Sequence, residues 1–305
     1  MQQNAKRNDI SGILPVNKER GFTSFDVVAK LRGILKTRKI GHTGTLDPDA
    51  EGVLVVCIGS ATRLVEMLTD RSKEYEAEMI FGMTTDTQDI SGTVLNRGSV
   101  DFREGDAADA ILSFAGEYDQ IPPMYSALKH NGKKLYELAR EGKIVDRKPR
   151  RVRIYDLEIL KINLSGNRPA ASVRVCCSKG TYIRTLINDI GEKLGCGACM
   201  SSLLRTKAAG FSLNECLSLD EIESLAGSGN VYDIIRPVER VFDPLPGLSV
   251  VPEADKRLYN GNRLRIDDFE QKETGSDMLK VYDSNGLFKA VYEADGGEYK
   301  VRFIF

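Results

Sequence analysis

A histidine and a carboxylate, His42 and Asp47, lie in the run Gly41-His-Thr-Gly-Thr-Leu-Asp-Pro-Asp-Ala-Glu-Gly52. Such a pair could serve acid–base chemistry, and the carboxylate alone could stabilise or attack an electron-poor carbon. Gly41 and Gly44 free the backbone around Thr43, and Pro48 stiffens the turn directly after Asp47. The apolar, β-branched run 53–58 that follows reads as a buried strand. The preceding residues therefore form a shaped loop at the edge of a sheet, where catalytic groups are commonly presented. Taken alone the loop also suits an ordinary Asp–Pro turn, because Gly, Thr, Asp and Pro are turn formers.

The elements that must position this loop follow from periodicity. Ser24 is the expected N-cap of a helix over 25–35, with Phe25, Val28, Leu31 and Leu35 on one stripe. A short helix is expected over 61–68. Residues 73–81 alternate, placing Tyr75, Ala77, Met79 and Phe81 on one covered face of a strand. Helices are predicted over 107–114, 134–141 and 181–194, the last ended by Gly195. Strands are predicted over 152–160 and 172–178. This mixture without a regular βαβ repeat indicates an α+β fold: a mixed, largely antiparallel sheet with helices over 10–240. Pro237, Pro244, Pro246 and Pro252 read as a linker. Beyond it, short alternating segments at 278–282, 288–292 and 300–305 make a small β-rich domain over 246–305.

Composition narrows the class. The chain has 305 residues, 41% hydrophobic and 29% charged, as expected of a soluble globular protein. Its longest apolar runs fall far short of a membrane span, and residues 1–9 are polar with no secretory h-region. A cytoplasmic protein with reduced thiols is expected. Cys196-Gly-Ala-Cys199 has redox or zinc spacing, but neither His42 nor His130 neighbours a second cysteine pair, so no metal is expected. The net charge is −1, yet residues 129–153 hold ten Lys and Arg against three Asp and Glu. A local excess of seven positive charges is the footprint of phosphate binding, although charge runs often form only a solvated helix face. Tyr125, His130, Asn131 and Tyr136 are interleaved with the cations, which suits stacked bases as well as phosphates.

Three long motifs, Gly41-His-Thr-Gly-Thr-Leu-Asp-Pro48, Pro123-Met-Tyr-Ser-Ala-Leu-Lys129 and Ser178-Lys-Gly-Thr-Tyr-Ile-Arg-Thr185, resemble those of the TruB family of bacterial tRNA pseudouridine-55 synthases. The resemblance covers about 11–215 and weakens beyond, where the family carries a PUA domain compatible with the β-rich tail. Near the N-terminus the family reads Asp-Lys-Pro-x-Gly, whereas this chain reads Asn17-Lys-Glu-Arg-Gly21, keeping Lys18 and Gly21.

The resemblance implies that uridine 55 in the T-loop of tRNA is flipped out and isomerised. The N1–C1′ bond breaks, the base turns, and C5 bonds to C1′. Asp47 would be the catalytic aspartate, by attack at C1′, by attack on the base or by deprotonation of the sugar; these routes remain open. Tyr75 would stack on the uracil and assist loss of the C5 proton. Arg184 would pair with Asp47, Tyr182 would line the pocket and Leu203 would pack on the base. Lys18 would contact substrate, and His42 would hold the RNA around the extruded nucleotide, with Asp89 a candidate partner. The insertion over about 122–153, through Lys129, Lys133, Lys134, Arg140, Arg150 and Arg151, would grip the T-arm. No cofactor or protein partner is implied, and the active form would be a monomer. Two other readings stand beside this one: a tRNA-folding protein with secondary catalysis, and a relative dependent on guide RNA and partner proteins.

Overall fold

Alternating and continuous apolar runs divide the main sheet into two differently covered halves. In the computed structural model, which describes residues 10–271 and 276–305, the strand Lys73–Phe81 has the bounds its alternation predicts. Tyr75, Ala77, Met79 and Phe81 enter one core with Leu186, Ile187 and Ile190 of the helix Ile183–Lys193. The opposite face is polar: Arg174, paired in register with Glu76, bridges Glu76 at 2.8 Å and Glu158 at 2.5 Å. The strand Glu51–Ile58, by contrast, is buried on both faces. Leu54, Val56 and Ile58 pack against helices Ser24–Leu35 and Leu219–Gly227, while Val53, Val55 and Cys57 face Phe211 and Phe242. Each such buried aliphatic side chain contributes roughly 1.5–3 kcal/mol, so the loop before it ends on rigid ground.

The sheet runs Gly12–Lys18, Glu51–Ile58, Ala198–Ala208, Lys73–Phe81, Ala170–Cys177, Arg150–Asn163, Gly116–Gln120, with two short strands off this path. Every neighbouring pair on the path is antiparallel except Glu51–Ile58 with Ala198–Ala208. The mixed, largely antiparallel α+β class thus holds. The central strand Ala198–Ala208 had no counterpart in the periodicity, because polar Ser201, Ser202, Thr206 and Lys207 interrupt its apolar residues.

Several boundaries differ. Thr23, not Ser24, caps the first helix, its hydroxyl accepting from Asp26 N–H at 3.0 Å in a capping box. The segment over 61–68 starts as a 3-10 turn, Gly59–Leu64, before the helix Val65–Asp70. The helix expected over 107–114 is Glu104–Leu112. The proline-rich stretch is no open spacer: it forms the turn Val238–Phe242 and the strand Gly247–Ser249, since its prolines flank these elements rather than interrupt them.

That strand begins a second sheet, continued by Met278–Tyr282, Phe288–Asp295 and Glu298–Ile304. It docks on the main sheet through Phe242, whose ring centroid lies 6.2, 5.9 and 6.1 Å from those of Phe288, Phe303 and Phe305. Among the described residues no helix is long and apolar enough to cross a membrane, and no three metal-ligating side chains cluster. The N-terminal stretch 1–9 lies outside the described residues.

Candidate active site

Asp47 lines a cleft of about 850 Å³. Its loop is fixed at successive residues by backbone and side-chain groups from elsewhere. Thr43 N–H donates to Val55 O at 3.0 Å. Ser24, freed from capping, accepts Leu46 N–H at 2.9 Å and returns its own proton to Leu46 O at 3.3 Å. Pro48 O accepts from Gly21 N–H at 2.9 Å and from the Lys18 ammonium at 3.1 Å. Arg205, 2% exposed, donates to Val53 O at 2.7 Å, Gly44 O at 3.2 Å and Thr45 O at 3.4 Å. The end of the loop must be glycine: at Gly52 (φ +103°) a Cβ would lie 2.3 Å from Arg205 O.

The carboxylate itself is held by Arg184. The guanidinium meets it with two nitrogens, Nε to Oδ2 at 3.0 Å and Nη2 to Oδ1 at 3.2 Å. This two-pronged geometry fixes direction as well as charge. The other contacts of Arg184 are Thr87 O and Tyr125 O, both at 2.9 Å, and Asp89 Oδ2 at 3.7 Å. Asp89 is fixed in turn by Ser91 Oγ at 2.6 Å and Thr87 Oγ1 at 2.8 Å. Its partner is therefore Arg184 and not His42. Withdrawal from water raises the Asp47 pKa above the ordinary carboxylate value; Arg184 pulls it back down and the Asp89 charge adds to the rise. The Asp47 side chain is still 40% exposed toward the cleft, enough for a substrate atom to reach it.

Tyr75, Tyr182 and Leu203 line the same cleft, together with Tyr136 and Arg140 of the insertion. Burial pushes the Tyr75 phenol up, so it stays protonated, and the Arg205 guanidinium lies 6.0 Å from its ring centroid. The ring thus presents a flat face in the cleft lining, beside a guanidinium. Lys73 also lines the cleft, held by the carbonyls of Thr69 and Arg71 and lowered to about 8, chiefly by burial.

Two further candidates stand outside the cleft lining. Lys18 is fully buried and does not line the cleft; its ammonium is taken up by the carbonyls of Glu19, Phe22 and Pro48. His42 also stands outside the lining, its Nδ1 accepting Gly44 N–H at 3.3 Å, which puts the proton on Nε2. Burial and the Arg205 charge lower its pKa, so the ring is neutral. Lys129, Lys133, Arg150 and Arg151 are exposed and Lys134 is half-buried, all beyond the cleft lining. Lys133 pairs with Glu141 at 3.2 Å and Arg151 with Asp119 at 3.4 Å. Lys134 and Arg140 both lie over the Tyr136 ring, at 5.3 and 5.4 Å.

Sequence reasoning missed Ser24 as a loop anchor and Arg205 altogether. A signal existed for Arg205: it is two residues from Leu203 on a strand and so points the same way, an inward cation in need of partners.

The family profile described as TruB family pseudouridylate synthase (N terminal domain) matches residues 32–183, and that of the tRNA pseudouridylate synthase B C-terminal domain matches residues 184–243. The chain belongs to the TruB family. It is 50% identical to tRNA pseudouridine synthase B of Lachnoclostridium phytofermentans over 294 residues, covering 94% of this chain and 96% of that one. The Bacillus subtilis protein of the same name is 43% identical over 286 residues, 93% of each chain. Among solved structures, a Cbf5–Nop10–Gar1 complex matches with a TM-score of 0.72 and 27% identity, over 96% of this chain and 84% of that chain. Asp47 and Arg184, joined in the cleft, fall in the two family segments on either side of the 183/184 boundary.

Proposed function

We propose that this protein converts uridine 55 in the T-loop of tRNA to pseudouridine, acting as a cytoplasmic monomer without a partner protein, guide RNA or cofactor. The observation that carries this reading is the part-exposed Asp47 carboxylate, held in the cleft lining by the two-pronged Arg184 contact. Breaking the N1–C1′ bond leaves an electron-deficient sugar carbon, which a fixed, ionised carboxylate can stabilise or attack. Arg184 opposes the rise that burial imposes on the Asp47 pKa.

The flipped uracil fits between the Tyr75 ring and Leu203, with Tyr182 along the wall. Tyr75 stacks on the uracil, and its phenol oxygen assists loss of the C5 proton. Lys18 positions Pro48, directly after Asp47, and His42 supports the loop behind the extruded nucleotide. Lys129, Lys133, Lys134, Arg140, Arg150 and Arg151 hold the T-arm phosphates, and the C-terminal sheet serves as a PUA-like RNA-binding unit over 246–305.

Purified protein mixed with a T-arm stem-loop labelled with tritium at uridine C5 tests this, because C5 exchanges its hydrogen for a bond to C1′. Tritium release with nothing else added is expected. Release only in the presence of a guide RNA or partner proteins would overturn independence of them. Intact binding without release would favour a tRNA-folding role.

A further inference from the structure

The helix that carries Arg184 begins in an arrangement the reaction does not obviously require. Tyr182 precedes it in an extended conformation (φ −99°, ψ 109°) and provides no side-chain cap. Its peptide groups are instead taken by Gln120, 62 residues earlier. Gln120 Oε1 accepts Tyr182 N–H at 2.8 Å, and Gln120 Nε2 donates to Tyr182 O at 3.1 Å. The same carbonyl accepts Leu186 N–H at 3.0 Å, the first bond of the helix, so both of its lone pairs are engaged. The second Nε2 hydrogen goes to the Tyr118 hydroxyl, which fixes the amide orientation. Gln120 is 1% exposed and does not line the cleft.

Its position in the chain matters as much. Gln120 ends the strand Gly116–Gln120, and the basic insertion begins with the next residues. Five residues on, Tyr125 O accepts from Arg184 Nη2 at 2.9 Å. The root of the insertion therefore grips the 182–184 corner twice, on the backbone at Tyr182 and on the guanidinium at Arg184. A cation at a helix N-terminus is opposed by the helix dipole. Arg184 must then be held where it is by contacts, and the Tyr182 peptide is the point from which its backbone starts.

We propose, on the basis of the reaction assigned above, that Gln120 is a positioning residue for catalysis. Its amide locks both polar groups of Tyr182, and so sets the line along which Arg184 meets Asp47. Only an amide satisfies both groups: a carboxylate would face Tyr182 O with a second oxygen, and an apolar side chain would leave a buried N–H without an acceptor.

The test is a double-mutant cycle on the full-length protein. Single-turnover pseudouridine formation and T-arm stem-loop affinity are measured for wild type, Gln120→Ala, Gln120→Glu, Arg184→Lys and the Gln120/Arg184 doubles, at a temperature where circular dichroism shows each folded. Gln120→Ala and Gln120→Glu should slow the chemical step on the order of 100-fold, the scale of a small misplacement, with affinity essentially unchanged. In the Arg184→Lys background the same changes should cost no more than about threefold, because residues that act through one another are not additive. Should Gln120→Ala fail to fold, Gln120→Glu, of similar volume and still able to accept Tyr182 N–H, completes the cycle. An undiminished rate, a loss of equal size in both backgrounds, or a fall in affinity that accounts for the whole loss would overturn the proposal. Absence of product from the wild-type protein would overturn the functional reading and this proposal with it.

Discussion

Around Asp47 the backbone is held at nearly every residue, whereas the basic insertion stands on few contacts. Gly44, Thr45, Leu46 and Pro48 each bond a buried or half-buried side chain from elsewhere in the chain. The insertion offers a two-residue hairpin, Lys129–His130 with Lys133–Lys134, one short helix, Leu135–Arg140, and mostly exposed cations. The contrast follows from what each region must do. A carboxylate that meets one sugar carbon loses most of its value if displaced by an ångström. Phosphates are met by charge at longer range, and a solvated lysine adapts to them at little cost. Tight hydrogen bonding thus marks the reacting centre, and loose positive charge marks the grip.

Substitutions can break or sharpen that contrast. Asp47→Asn should lower pseudouridine formation at least about 1000-fold while leaving stem-loop affinity nearly intact; a single-turnover assay beside a binding titration reads both. Arg205→Met should strip donors from the carbonyls of residues 44, 45 and 53 and destabilise the fold by about 3 kcal/mol. Denaturant unfolding measures this, and an unchanged midpoint would show that the loop does not depend on the clamp.

Arg184→Lys should slow the reaction roughly 100-fold and move the acidic limb of its pH profile upward. The sign follows from Asp47, which must be ionised to act and whose pKa is already raised in the fold. Activity falls as pH drops through that folded value, and weakening the opposing Arg184 contact lifts it further. For stability the direction reverses: a carboxyl with a raised folded pKa binds its proton more tightly in the folded state, so this group favours folding as pH falls into its range. In the insertion, Lys129→Ala or Arg150→Ala should each weaken binding only about threefold and reduce the salt slope by about one, with the rate at saturation unchanged. Effects on the chemical step as large as those at Arg184 would erase the distinction between the two regions.

Legibility in the sequence tracked the same distinction. The strand Lys73–Phe81 was readable because one face is buried and one is wet, which writes a period of two into the residues. The buried run Glu51–Ile58 was readable from its unbroken apolar residues. The strand Ala198–Ala208 was not, since Arg205 occupies an inward position and polar residues break its run. Ser24 was misassigned for a related reason: Thr and Ser in succession both satisfy a helix cap, and only the position of Leu46 shows which hydroxyl is needed elsewhere.

The sequence by itself determined that Asp47 stands on a stiffened turn before a buried strand, that the cations gather after Gln120, and, through the three family motifs, that these serve one reaction. Tertiary structure alone decided who holds what. Lys18 went to the carbonyls of Glu19, Phe22 and Pro48, His42 to Gly44 N–H, Asp89 to Arg184, and Gln120 and Arg205 became clamps on peptides 62 and 161 residues away. Local residue patterns report the backbone preference of a few neighbours. The choice of a hydrogen-bonding partner across the chain is made by packing, where each buried donor must find the acceptor that the sheet brings beside it.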